Sequence, residues 1–535
     1  MPCRRSFATR RRCGIFAGDG GTGAPVFPRG LMEELPKLRK PAAALLLGAA
    51  VMSSTLFAAV NIPLDSWVYP AIDTLEAAGL IDTGHLGLRP FSRRKAARLV
   101  LEAQGIAEQR GDGRFAGLLD RLRREFAFET AELEAGTAMN YFRPAHDAYL
   151  AYTVINSASP PENRAGRPYA EGANIHTGFS LDFQKAPFSG RLRWELHWLE
   201  GKGDAPADVS SRFEEASLKI TRGRWFTEIG RQSLWWGPGR HGSLLLSNNA
   251  PPFDLLRIAA EDPFMLPGVF SKLGLITAEM FITRLEKERF VPEPYLMGMR
   301  LTAKPTQNLE IGLHRTIMFG GEGRDVTWKT LWDLLLAIGE NEPDGPGNQL
   351  ASAYWRYRVP HPTAPFEFYG EFGGEDHTDP AYFTRPALIA GLYFPAIGPV
   401  GRLDLRLEYA DTYMGGHQGN KRVWYTHGIY RSGYTYKGHI IGHHAGTDAR
   451  DWYLELGCRA GENARLWLAA DAEVRELYEP FPEERFQLSL GAEWRPSAET
   501  SVAASYMREW IRNYEYTEGE KRSGGRFELA ARIQF

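Results

Sequence analysis

From about residue 137 to the last residue, the chain repeatedly alternates apolar and polar side chains with a period of two. Leu192, Trp194, Leu196 and Trp198 alternate with Arg191, Arg193, Glu195 and His197. Leu403, Leu405, Leu407 and Tyr409 alternate with Arg402, Asp404, Arg406 and Glu408, and Phe486, Leu488, Leu490, Ala492 and Trp494 with Gln487, Ser489, Gly491 and Glu493. The pattern ends on Phe527, Leu529, Ala531, Ile533 and Phe535. Successive strand residues point to opposite faces, so each run reads as a β-strand with one apolar and one polar face. A half-buried soluble sheet also alternates. Here the polar face is densely charged and the apolar face carries Trp and Tyr near strand ends, as when one face meets lipid and the other a hydrated lumen. No blade repeat supports a propeller.

In lipid, an open sheet edge leaves backbone groups without partners, so the last strand has to pair with the first. A membrane strand takes roughly 9–11 residues, and with turns and loops residues 137–535 hold roughly 16–20 of them. Single-chain bacterial barrels use even counts. The expected fold is therefore mostly β: a transmembrane antiparallel β-barrel of about 18 strands with a small N-terminal α-helical bundle. Mean hydropathy is -0.35, which excludes a bundle of membrane helices but not a barrel. Formal net charge is -2, from 63 Lys+Arg against 65 Asp+Glu, so no nucleic-acid partner is expected.

Residues 1–60 read as a segment removed on export. The apolar run at 41–52, PAAALLLGAAVM, suits a signal-peptide core and is short of the roughly 20 residues a spanning helix needs. Lys37, Arg39 and Lys40 precede it, small residues follow near 53–60, and Met32 would start a leader of ordinary length, which makes residues 1–31 a mis-called extension. Of the three cysteines, Cys3, Cys13 and Cys458, only Cys458 would remain, at an apolar strand position, so no disulfide framework or multi-cysteine metal site is expected.

Residues 62–136 read as helical. Val68, Ile72, Leu75 and Leu80 share one helix face, Ser92 is placed to cap a second helix through Leu101, and Phe115, Leu118, Leu119, Leu122 and Phe126 mark a third. This bundle could cap a barrel end or hold a partner. Lys329–Ile338 interrupts the strands as a short helix, expected inside the lumen or over the mouth.

Three stretches hold candidate chemistry. In Gly230–Ala250, Trp235 and Trp236 precede a Gly-Pro-Gly turn and lie near Arg240, Asn248 and Asn249. Flat rings beside forked polar groups suit sugars, which offer C–H faces and hydroxyl edges; a lipid-interface girdle with a luminal arginine ladder is the plainer alternative. In Glu367–Asp376, Glu371 with Glu375 or Asp376 could act as paired carboxylates, pair with luminal arginines or bind a cation. His439, His443 and His444 invite a metal reading, but no carboxylate or Cys completes a recognised ligand motif. The expectation is no catalytic residue, no metal and no cofactor, with polysaccharide contacts drawn from Trp235, Trp236, Arg240, Asn248, Asn249, Glu371 and Asp376.

Four stretches in order, at 61–100, 230–252, 366–376 and 430–448, resemble the capsule assembly protein Wzi family. That resemblance implies an 18-stranded outer-membrane barrel of a Gram-negative bacterium, with a helical bundle on the periplasmic side. It also implies a lectin-like, non-enzymatic role in organising capsular or extracellular polysaccharide. Outer-membrane lipid and periplasmic components of capsule export or barrel assembly are the further partners to expect. The first 31 residues depart from the family. The competing function is a porin-type diffusion channel for small or sugar solutes.

Overall fold

The computed structural model describes residues 57–535 apart from 204–205, 337, 339–344, 346, 376–386, 399, 414–422 and 498. The expected leader up to residue 56 lies outside the described residues, as does Asp376.

Eighteen strands close into one antiparallel barrel. They begin with β1 (Tyr141–Ile155), β2 (Gly172–Lys185), β3 (Phe188–Leu199), β4 (Asp208–Arg222), β5 (Trp225–Gln232) and β6 (Phe253–Ala260). Then come β7 (Leu275–Arg284), β8 (Tyr295–Thr306), β9 (Leu309–Phe319), β10 (Gly347–Val359), β11 (Phe366–Glu375) and β12 (Ala387–Ile397). The wall ends with β13 (Leu403–Asp411), β14 (Arg450–Ala460), β15 (Ala464–Arg475), β16 (Glu483–Trp494), β17 (Thr500–Arg512) and β18 (Lys521–Gln534). The seam joins β18 to β1 from Asp147 opposite Gln534 to Ile155 opposite Arg526, and the Phe535 amide donates to the His146 carbonyl at 2.9 Å.

The two faces follow the alternation. On β9, Leu313 is 61% exposed, whereas His314 beside it is 2% exposed. Leu150, Phe179, Leu454, Leu490 and Leu529 continue the outward apolar band, with Trp452 and Trp494 near opposite strand ends. Arg191, Glu195, Glu228, Arg257 and Glu279 are buried on the inner wall. There they pair across strands, as where Arg257 meets Glu279 at 2.9 Å and Glu228 at 3.1 Å.

One barrel end carries mostly short turns, with 261–274 the exception, and the other carries the long connections 156–171, 233–252, 320–346 and 412–449. Four helices, α1 (Val68–Ala77), α2 (Arg93–Arg110), α3 (Ala116–Glu125) and α4 (Ala127–Ala135), lie at the short-turn end. Ser92 Oγ accepts the Lys95 amide at 3.0 Å and caps α2, and Gly111, at φ 63°, ends it in the left-handed conformation. Their core gathers Ile72, Leu75, Leu80, Val100, Leu122 and Phe126.

This segment is fastened to the inner wall by charge. The carbonyl end of α1 and the residues after it face three wall cations, which suit the negative end of a helix. Lys304 binds Glu76 at 2.9 Å and the Gly84 carbonyl at 2.8 Å, and Arg358 binds the Ile81 carbonyl and Asp82. Arg356 sits between Glu76 and Glu367, both at 2.8 Å, with Glu310 at 3.5 Å. Glu310 in turn accepts the Leu86 and Gly87 amides, both at 3.1 Å. The helical segment thus caps and enters the barrel, the first of the two roles its sequence left open.

The helix inside the strand sequence, α5 (Trp328–Leu336), is neither in the lumen nor over the mouth. Its Leu334 packs with Ile317 and Phe319, which share the outward face of β9 with Leu313, and with Met297 and Met299 of β8. Arg315 donates to the Leu334 and Leu335 carbonyls at 2.7 and 2.8 Å, holding the helix C-terminus on the outer wall. Trp328 and Trp332 remain exposed. A helix apolar on both faces suits a lipid-side seat better than a charged lumen.

Two outcomes follow. Arg356→Ala leaves three buried carboxylates short of their cation and costs about 3–5 kcal/mol, read as a lowered unfolding midpoint and faster proteolysis within residues 57–135. In vesicles of brominated lipid, tryptophan fluorescence of the wild type is quenched more than that of the Trp328→Phe/Trp332→Phe double variant; equal quenching would detach α5 from the lipid.

Candidate functional site

The connection 233–252 folds back into the lumen. Trp235 and Trp236 form a two-residue ladder with Arg89 and Leu88, so the loop is hydrogen-bonded to the segment that leads into α2. The Trp236 amide donates to the Leu246 carbonyl at 3.0 Å, and the Gly237 amide to the Gly87 carbonyl at 3.0 Å. Gly237 has φ 136°, and a Cβ there would stand 2.7 Å from Glu371 Oε2. The turn therefore needs glycine.

Adjacent residues in extended backbone face opposite ways, which separates the two tryptophans. Trp236 is fully buried, edge-on to Phe281 at 5.3 Å, in a cluster with Leu244, Leu246, Leu255, Leu296 and Tyr434. Trp235 lines a luminal cavity of about 440 Å³ instead. Tyr453 and Trp467 of the wall add two more rings to that cavity, and Arg164, Arg167, Arg240, Asn163 and Asn248 add forked polar groups.

Electrostatics divides the cavity arginines into two sets. Arg167 is held by Glu195 at 2.6 Å, and Arg193 by Asp65 at 2.8 Å. Burial acts to raise the Asp65 carboxyl, but Arg193, Arg532 and Arg167 overcome it and hold the group well below the usual carboxylate range. Arg240 and Arg526, by contrast, make no side-chain hydrogen bond among the described residues. The nearest carboxylate to Arg240 is Asp73, at 3.8 Å, and its backbone amide is fixed by Glu408 at 2.7 Å. Burial works to raise Asp73 too, and Arg89 and Arg240 hold it below the usual range. A guanidinium anchored by its backbone, with its fork open to a cavity, is placed to bind hydroxyls or anions.

The sequence candidates therefore part company. Trp235, Arg240 and Asn248 meet at the cavity. Trp236 is core, and Asn249 clamps loops together through the Ile440 carbonyl at 3.0 Å and the Asn163 amide at 3.4 Å. Glu371 is fully buried; it accepts the Ser352 hydroxyl at 2.8 Å and the Leu244 amide at 3.2 Å, and so anchors the loop. Glu375 accepts the Tyr425 amide at 2.8 Å. Neither of these two carboxylates lines the cavity. Arg164, Arg167, Tyr453, Trp467 and Arg526 were missed. The last three show in sequence only as strand alternation, and the first two sit in a loop with no distinctive pattern.

The model of the family described as capsule assembly protein Wzi matches residues 149–524. The chain belongs to the Wzi family. It is an outer-membrane barrel by family and by architecture. Among curated proteins it is similar to an uncharacterized 55.8 kDa protein in the cps region of Klebsiella pneumoniae, 30% identical over 193 residues. That match covers 35% of this chain, which spans only 38% of the relative's length. Among solved structures it is similar to Wzi of Escherichia coli, described as an outer-membrane protein involved in group 1 capsule assembly and a carbohydrate-binding β-barrel. The TM-score is 0.66 at 18% identity, covering 90% of this chain and 100% of that one.

The division of the Wzi-family motif into core and cavity residues has a measurable consequence. Trp236→Ala costs about 3–5 kcal/mol of stability. Arg240→Ala, at a side chain without a hydrogen bond among the described residues, changes stability by less than about 1 kcal/mol. Thermal unfolding followed by heat-modifiable gel mobility separates the two.

Proposed function

We propose that this protein binds capsular or extracellular polysaccharide at the cell surface and organises it during capsule assembly, without chemical turnover. The observation that carries this reading is the luminal cavity in which the ring of Trp235 and the open fork of Arg240 stand together with Tyr453, Trp467 and Asn248. Rings cover the C–H faces of sugars, and the guanidinium and amide groups read hydroxyls or carboxylates at their edges. Family membership and the carbohydrate binding described for the Escherichia coli relative point the same way. The helical segment, at the short-turn end, faces the periplasm in this reading, because outer-membrane barrels keep their short turns on that side. It is then the surface available to components of capsule export or barrel assembly.

A diffusion channel is the competing reading. Against it stand the Trp236 cluster, packed on inner-wall residues from β6 to β13, and the helical segment ion-paired across the short-turn end. Steady conductance in a planar bilayer is therefore expected to be small.

The direct test is retention of the organism's own capsular polysaccharide on immobilised barrel. Trp235→Ala and Arg240→Ala are each expected to weaken binding roughly 3- to 30-fold, the range of a lost stacking contact or charged hydrogen bond. Binding equal to wild type in both variants would move the site elsewhere. Loss of the gene should release polysaccharide into the medium.

A further inference from the structure

Next to the cavity, three histidines from two loops meet four carboxylates. His241 comes from the connection 233–252, and His443 and His444 from 412–449. Asp451 belongs to β14, Asp471 and Glu473 to β15, and Glu162 to the loop 156–171. The carboxylates missing from the histidine-rich stretch are supplied by the polar face of the barrel wall and by a remote loop.

Arg475 bridges Glu162 and Glu473 at 2.6 and 2.8 Å, and Arg485 contacts the same two. Among the described residues, nothing but histidine answers Asp451 and Asp471. Asp451 is 2% exposed, and both of its carboxylate oxygens are without a hydrogen bond. Asp471 Oδ1, His241 Nε2 and His444 Nε2 are likewise buried without one. The spacing is also distinctive. Asp451 Oδ2 lies 3.4 Å from both His241 Nε2 and His444 Nε2, and Asp471 Oδ2 lies 3.2 Å from His241 Nε2. A charged N–H···O bond closes to about 2.8 Å. Donors bonded to one tetrahedral ion at roughly 2.0–2.1 Å stand roughly 3.3 Å apart.

We propose that His241, His444 and Asp471, with Asp451 beside both histidines, form a binding site for one first-row divalent transition-metal ion. Imidazole with carboxylate is a donor set such ions accept, and two aspartates without a Lys or Arg partner match a double positive charge. The imidazoles are already oriented. His241 stacks on Tyr453 with ring centroids 4.0 Å apart, its carbonyl accepts the Asn163 side-chain amide at 2.7 Å, and that amide also lies 3.3 Å from His444 Nδ1, on the side away from the cluster. The ion clasps both loops to β14 and β15 at the edge of the cavity. The site stands on its own geometry and is independent of the polysaccharide reading.

The test uses the full purified barrel in detergent, stripped with chelator and titrated with Zn²⁺ by calorimetry and Co²⁺ by visible absorption. One equivalent of Zn²⁺ and a Co²⁺ d–d band are expected. His241→Ala and Asp471→Asn should each weaken Zn²⁺ binding at least about tenfold, while His439→Ala, in the same histidine-rich stretch but outside the cluster, leaves it unchanged. Absence of both Zn²⁺ heat and the Co²⁺ band would mean that protonated imidazoles close the cluster, and would overturn the proposal. So would wild-type affinity in His241→Ala and Asp471→Asn. Heat-modifiable mobility checks that each variant folds, and if the two fail to fold the wild-type titration decides alone.

Discussion

Every backbone N–H and C=O that crosses a lipid layer has to find a partner within the protein, and the rest of this structure depends on that requirement. It makes the sheet continuous and joins β18 to β1. Closure then creates an inside, and the alternation sends charge to it. A lumen walled by Arg191, Glu228, Arg257 and Glu279 is strongly polar, so whatever occupies it has to answer charge with charge or with backbone dipoles. The helical segment does so through Glu76, Asp82 and the carbonyls at 81 and 84, and the loop 233–252 does so through amides that reach Glu371 and Glu408.

The candidate site is what this filling leaves over. The apolar cluster around Trp236 occupies the lumen against β6 to β13, and on the other side the wall arginines face the cavity lined by Trp235. The cavity is lined by the loops 156–171 and 233–252, and the histidine–carboxylate cluster lies where these two and the connection 412–449 meet β14 and β15. Ligand binding and loop position are therefore physically close. His241 and Asp471 line the cavity and also belong to the cluster.

Much of the fold was legible because period two has few structural solutions. Leu192 beside Arg193, or Trp494 beside Glu493, has its face assigned by the alternation alone. Placement within the lumen was not legible. Trp235 and Trp236 are equivalent as residues, and only the two-residue ladder with Leu88 and Arg89 decides which enters the core. Glu371 looked like chemistry because Glu375 and Asp376 follow it closely in sequence, yet the loop amide it holds comes from a residue 127 positions away. The seat of α5 was missed for a related reason. Its apolar residues suit lipid as well as protein, and only Leu334 against Ile317 and Phe319 shows which surface received it. The histidines at 443 and 444 show no recognised ligand motif in sequence because Asp471, Glu473 and Glu162, which join Asp451 around them, arrive from β15 and a remote loop.

The ion pairs between the helical segment and the wall bear on the permeability of the envelope. Without residues 57–92, Lys304, Arg356 and Arg358 would face water around one arc of the lumen, the arrangement of an anion-attracting constriction. The outward band of leucines keeps the barrel in the membrane but does nothing to stop ions passing through its centre. Buried salt bridges occupy that arc and the apolar Trp236 cluster packs the lumen against β6 to β13, so the filling of this barrel is partly electrostatic and partly apolar, and it comes from segments that lie inside the wall.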